Sequence, residues 1–192
     1  MSAYGGFDHN IQTIRIVTLL ENKYYNFKGL NLTLETIDGL VKHNGPVLNL
    51  EKFNKILGNN FFKNKIKFKN QPSLEAQISA ISDDIAYNSH DLEDGLKANL
   101  FGIEDLTNIP ILKQIVKKHT KKLLKFDKEL VLRQIVRDII NEMVKDIILN
   151  TKLNIKFNNI KSLLGVYKSD DLLVMFSKKM SLFDISIKQF LR

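Results

Sequence analysis

Asp83, Tyr87, Asp91 and Asp94 recur at three- and four-residue spacing inside one stretch of this chain. At about 100° per residue of an α-helix they share a single quadrant. Leu74, Ile78, Ile81, Ile85, Leu92 and Leu96 fall on the other side, as an amphipathic helix requires. Carboxylates flanking an aromatic ring suit a wall that holds a metal ion or a sugar. The same pattern also suits a solvated acidic face, and periodicity alone does not separate the two. The dipeptide His90-Asp91, taken with Asp83, offers nitrogen and oxygen donors suited to Mn²⁺, Fe or Mg²⁺. One helix rarely supplies a whole metal shell, because its side chains diverge.

Three further histidines could do chemistry. His9 follows Asp8, an N-capping residue, at a helix start where exposed N–H groups and the helix dipole favour anions. It is a candidate phosphate contact or proton donor, or simply a solvated first-turn residue. His43 stands near the C-terminus of a short helix, where a cation is favourable for structural reasons. His119 lies in the lysine run 113–125 and is expected at the surface. That run could bind nucleic acid or an acidic membrane surface, although only Phe126, at its edge, could stack on a base. A solvated helix face explains it more simply. No phosphate-binding GxxxxGK[ST], dinucleotide-binding GxGxxG or metalloprotease HExxH motif is present.

The elements that must position these residues are helical. Three prolines and nine glycines leave 192 residues with little punctuation. Asp8 opens a helix bearing Ile11, Ile14, Val17 and Leu20 on one face, after a loop containing Gly5-Gly6. Lys28-Gly29-Leu30-Asn31 is a turn. Leu34, Ile37, Leu40 and Val41 mark a short helix closed by Asn44-Gly45-Pro46, with Gly45 as its cap. Residues 47–70, rich in Lys, Asn and Phe, read as irregular. Pro72-Ser73 opens the long helix, which runs to about Asn99. A short helix over Ile103–Leu112 is broken at Pro110, and Lys113–Phe126 is basic and amphipathic. Leu130–Thr151 is a strong helix. Ser169–Met180 and Ser181–Leu191 read as terminal helices. Strand evidence is confined to a run such as Leu153–Phe157, so the fold class is all-α.

Composition sets the bounds. The absence of cysteine excludes disulfides, zinc-thiolate sites and a thiol nucleophile. No apolar run approaches the roughly 20 residues that span a bilayer. Met1–Asn10 shows no basic segment followed by an apolar one, so no secretory signal is visible and a cytoplasmic location is expected. A formal charge of +8 favours polyanionic partners. The lysines look widely spread, however, beside abundant Asn and Ile, and read first as composition.

Several segments together resemble the bacterial deoxynucleoside triphosphate triphosphohydrolases, the dGTPase-like branch of the HD-domain superfamily. They are Gly5-Gly6-Phe7-Asp8-His9-Asn10-Ile11-Gln12 with Arg15-Ile16-Val17-Thr18, Phe27 to Thr33, and Gly39-Leu40-Val41-Lys42-His43-Asn44-Gly45-Pro46. Glu75-Ala76-Gln77, Asp83 to Asn88, Asp91 to Gly95 and Phe176 to Met180 follow in order. The resemblance implies an HD-type helical bundle over 1–112 and a helical C-terminal extension over 113–192. It implies hydrolysis of a dNTP, dGTP foremost, to deoxynucleoside and triphosphate with a divalent metal (Mn, Mg or Fe). Asp83 matches a metal ligand, and His9 matches a catalytic histidine near the phosphates. Tyr87 and Asp91 match residues at the deoxyribose, and Asn10 joins them as a substrate contact.

In that family the first metal histidine and the His-Asp pair precede the Gly-Gly-Phe-Asp-His motif, which here begins four residues after Met1. His90-Asp91 is not that pair. The expectation is therefore a C-terminal portion, truncated and inactive alone, with three hypotheses for its role. It could be inactive alone, either as a gene-decay product or as a chain completed by an N-terminal companion polypeptide, act as a non-catalytic subunit of a homo-oligomer, or bind nucleic acid through residues 113–125.

Overall fold

A computed structural model describes residues 7–48, 51, 53 and 66–192. The Gly5-Gly6 loop lies outside the described residues, as do 49, 50, 52 and 54–65 of the segment expected to be irregular. In order come α1 (His9–Arg15), a π-helical turn (Ile16–Leu20), α2 (Leu34–Val41) and α3 (Leu74–Lys97). A 3₁₀ turn (Asp105–Asn108), α4 (Pro110–His119), a second 3₁₀ turn (Thr120–Lys122), α5 (Lys128–Phe157), α6 (Leu163–Tyr167) and α7 (Lys178–Phe190) follow. No strand occurs among the described residues, and the fold is all-α. Leu153–Phe157 closes α5 rather than forming a strand. The chain packs as two compact units, residues 1–80 with 158–173 and residues 81–157 with 174–192.

In the first unit, Ile11, Ile14, Val41, Phe53 and Ile66 form the core, with Ile37, Leu40, Val47 and Phe68 packed against it. Asp8 caps α1 as expected, its Oδ1 accepting from the Ile11 N–H at 3.1 Å. Val17 and Leu20 do not continue the buried face, and Leu20 is 51% exposed. The π-helical turn adds about one residue per turn, so the three-residue step of Ile11 and Ile14 loses phase. Gly29 has φ +72°, and a Cβ there would meet the Val17 carbonyl oxygen at 2.5 Å, so the turn requires glycine. Asn31, at φ 50°, completes the turn.

Thr33 caps α2 by accepting from the Thr36 N–H. The helix ends before Gly45 (φ +95°), whose N–H donates to the Lys42 carbonyl at 2.8 Å. Gly45 thus turns the chain after the helix instead of capping its last turn. Ser73 caps α3, accepting from the Ala76 N–H at 3.3 Å.

Residues 169–177 are not helical, contrary to their sequence pattern. The backbone there is engaged by glutamine side chains. Gln71 Nε2 donates to the Asp170 carbonyl at 3.0 Å, and the Leu173 N–H donates to Gln77 Oε1 at 2.8 Å. Two well-placed side-chain amides outweigh local propensity, because each pairs a backbone group that a helix would otherwise have to satisfy, and the Leu173 N–H is buried.

In the second unit, α4 packs on α5. Leu112, Ile115 and Val116 of α4 and Leu132, Ile135, Ile139 and Met143 of α5 are buried. Pro110 opens α4 at its first turn rather than breaking a helix, since its missing N–H needs no partner there. α5 runs over 30 residues, longer at both ends than its apolar pattern, and Asp127 Oδ1 accepts from the Glu129 N–H at 2.9 Å to start it.

Ser177 starts α7. Its Oγ accepts from the Met180 N–H at 3.3 Å and donates to Asp146 Oδ1 at 2.6 Å, while its N–H donates to Asp146 Oδ2 at 2.8 Å. Ser177→Ala removes the cap and one of these bonds. It should cost about 1 kcal/mol in a urea-unfolding measurement.

Candidate functional site

The acidic stripe read from sequence lies on α3. Asp83, Tyr87, His90, Asp91 and Asp94 are all exposed, Tyr87 by 71%. The helical rise of about 1.5 Å per residue sets Asp83, Tyr87 and Asp91 roughly 6 Å apart in sequence along one line. On the opposite side Ile85, Leu92 and Leu96 are buried, as expected. Ile78 is not, being 48% exposed, and Gln77 takes the inward place one residue earlier. The polar Gln77 is there to bond the Leu173 backbone, a demand that a hydrophobic pattern cannot register.

Within the second unit a polar cluster fixes how α3 presents this face. Asn88 is buried, and its Nδ2 donates to Asp184 Oδ1 of α7 at 2.6 Å. Lys188 Nζ lies 2.9 Å from Asp184 and 3.6 Å from Asp84. Burial alone would lower the Lys188 pKa. The hydrogen bond and charge of Asp184, with a smaller share from Asp84, outweigh burial and hold it above the ordinary 10.5. A lysine raised in the fold contributes its stability in full below 10.5, and that contribution is lost as pH rises through the raised value. The Phe101 ring lies against Gly95 and, 4.7 Å from Phe190, edge-on to it.

In the first unit His9 is the first residue of α1 and exposed, while Asn10 is half-buried. His9 stands beside His43, with ring centroids 6.4 Å apart and planes at 83°. Sequence spacing carried no sign of this pairing, because it depends on α1 meeting the end of α2. A cleft of about 380 Å³ is lined by Glu35, Thr36, His43, Ser73, Glu75 and Ser79. At the end of α2, Lys42 is 2% exposed, with Nζ 2.7 Å from Asp38 and 5.8 Å from the centre of the Tyr167 ring. The i, i+4 spacing of Asp38 and Lys42 was the available signal. Burial, then the charges of Asp38, Glu35 and Glu75, holds the Tyr167 phenol above its ordinary value of 10.0.

His119 is not at the surface. It is 5% exposed, and its Nε2 lies 3.1 Å from Asp138 Oδ2. Leu112, Ile115, Val116 and His119 share the i, i+3, i+4, i+7 stripe of α4, and that register outweighs the surrounding lysines.

His9 and Asn10 thus belong to the first unit and Asp83, Tyr87 and Asp91 to the second. Among the described residues no three His, Asp or Glu side chains converge as a metal site. The donors present do not by themselves fit a divalent ion.

No family model matches the chain. It is 53% identical over 192 residues to a deoxyguanosinetriphosphate triphosphohydrolase-like protein of Pelagibacter ubique, covering all of this chain and 52% of that protein. Proteins of the same description from Bartonella quintana and Bartonella tribocorum are 40% and 38% identical over this whole chain, which covers 49% of each. The chain spans about half the length of the curated relatives it matches. It is a homologue of the deoxyguanosinetriphosphate triphosphohydrolase-like proteins, matching a C-terminal portion of them along its entire length.

Proposed function

We propose that this chain forms the substrate-facing portion of a dNTP triphosphohydrolase, with dGTP as the first substrate to test. The observation that carries this reading is the whole-chain identity to proteins of that description, on a fold that leaves the Asp83–Tyr87–Asp91 stripe open to solvent. In the reaction, water adds to the α-phosphorus and the bond to the 5′-oxygen breaks, yielding deoxynucleoside and triphosphate. The departing oxygen needs a proton, which His9 at the phosphates would supply, with Asn10 as a further substrate contact. Tyr87 would pack on the deoxyribose, and Asp91 would accept a hydrogen bond from its hydroxyl. The resemblance implies a divalent metal (Mn, Mg or Fe). Asp83 is the single donor this chain would bring to it, and the others would come from a companion segment or polypeptide. By descent, residues 1–112 would be the hydrolase-type part and 113–192 its helical extension, within a cytoplasmic homo-oligomer.

The test uses the 192-residue chain, a polypeptide corresponding to the half of the Pelagibacter ubique relative outside the match, and their mixture. Calorimetric Mn²⁺ titration and triphosphate release from dGTP are measured on each. Tight metal binding and turnover are expected in the mixture alone, because a lone carboxylate gives a hard cation too few ligands. A mixture of folded, associated parts without turnover overturns the proposal, as does metal-dependent turnover that survives Asp83→Ala.

A further inference from the structure

A second cleft in the first unit, of about 400 Å³, is lined by residues of α2, the turn at 67–70 and α6. That volume is typical of a small-molecule site. Ser162 caps α6 by accepting from the Gly165 N–H at 3.3 Å. The Tyr167 carbonyl accepts from the Gln71 N–H at 3.1 Å, which ties α6 to the chain just after the turn. Lys42 lines this cleft, and its side chain has left water almost entirely. An ammonium carries three N–H donors, and Asp38 accepts from one of them at 2.7 Å. Among the described residues nothing accepts from the other two. Buried donors on a charged group are costly to leave unmade, so an acceptor from outside the chain gains by meeting them.

Charge decides which kind of acceptor fits. Lys42 and Lys67 line the cleft together with Asp38 and Glu35, and the two signs cancel. A bare anion would leave negative charge in excess. It would also sit beside the Tyr167 phenol, which burial first, then Asp38, Glu35 and Glu75, already hold above 10.0. A bare cation would leave the Lys42 donors unanswered. A zwitterion keeps the balance and meets both signs. Leu34, Leu163 and Leu164, exposed by 39%, 54% and 53%, add an apolar wall.

We propose that this cleft binds a free amino acid with an apolar side chain. The ligand carboxylate takes the two unspent Lys42 donors, its ammonium faces Glu35 and the Tyr167 ring, and its side chain lies on the leucines. Two oxygens of one carboxylate answer two N–H groups of one ammonium, whereas a neutral carbonyl offers a single, weaker oxygen. The proposal uses none of Asp83, Tyr87, Asp91 or His9, and stands or falls apart from the dNTP reading.

The experiment titrates the whole chain with L-leucine and L-phenylalanine, followed by calorimetry and ligand-observed NMR. At least one should bind with a dissociation constant of about 1 mM or below. N-acetyl-L-leucine lacks the ammonium and isopentylamine lacks the carboxylate, and each should bind roughly tenfold or more weakly than L-leucine. Glu35→Gln, at an exposed position, should weaken L-leucine about tenfold and leave N-acetyl-L-leucine unchanged. Lys42→Met with Asp38→Leu removes the buried pair together, so no charge is stranded, and should abolish binding while helicity is unchanged. Glu75→Gln, exposed and lining the other cleft, should alter binding less than about twofold. Absence of binding by both amino acids at about 10 mM overturns the proposal. Equal losses from Glu35→Gln and Glu75→Gln overturn it too, as does N-acetyl-L-leucine binding as tightly as L-leucine. Deoxyguanosine binding in preference to either amino acid would overturn it in favour of a nucleoside site.

Discussion

Replacing Asp184 with alanine should lower the stability of the unit that carries the acidic face by about 3 kcal/mol. The side chain is 12% exposed and serves two partners, the buried Asn88 amide at 2.6 Å and the Lys188 ammonium at 2.9 Å. Its removal leaves an amide donor that has already lost its water, and a partly buried cation with only Asp84, 3.6 Å away, to answer it. Asp84→Ala is the contrast. That carboxylate is 58% exposed, so its loss should cost about 0.5 kcal/mol or less. Asn88→Ala combined with Asp184→Ala should cost less than the sum of the two changes, because both remove the same hydrogen bond. Urea unfolding followed by circular dichroism checks all four proteins. A loss below about 1 kcal/mol for Asp184→Ala would show that Asn88 finds another acceptor.

Asp83→Ala and Asp91→Ala should separate cleanly in the completed enzyme, on the reading of α3 proposed above. Asp83→Ala should abolish turnover and Mn²⁺ affinity together. Asp91, two turns on, would meet the sugar rather than the metal, so its removal should leave Mn²⁺ affinity nearly unchanged. The expected loss in kcat/KM for dGTP is then roughly 10- to 100-fold, or about 1–3 kcal/mol of transition-state binding. Calorimetry and steady-state kinetics on the same preparations decide between them. Loss of metal from Asp91→Ala, with Asp83→Ala unaffected, would mean that the face is registered differently along the helix.

The sequence was most legible where a single helix settles its own geometry. Asp8 and Ser73 announce their helices by chemistry local to the cap, and Ile85, Leu92 and Leu96 turn inward by period alone. Reading failed where a distant partner decides. Gln77 and Gln71 reach 96 and 99 residues along the chain to hold a segment that local pattern made helical. His119 was hidden by its lysine neighbours although its register pointed inward. Pro110 misleads because a proline looks alike at either end of a helix unless its place in the turn is known. The stripe itself was visible from spacing, but its meaning was not. A carboxylate on a solvated face and one awaiting a ligand carry the same periodicity, and only a binding measurement separates them.

The π-helical turn at Ile16–Leu20 has one more effect, on how this protein can change in length. The Glu21 carbonyl accepts from the Gly29 N–H at 2.8 Å, and the Val17 carbonyl, inside that turn, accepts from the Leu30 N–H at 2.8 Å. The excursion between them is therefore tied at its base, while its tip at Tyr24 and Tyr25 is in solvent. Closing a longer loop over such a base is inexpensive, about 0.6 kcal/mol for each doubling. Lineages are thus free to insert or delete residues around Tyr25 without displacing α1 or α2, whereas a single residue added at Gly29 would unfasten both ties at once.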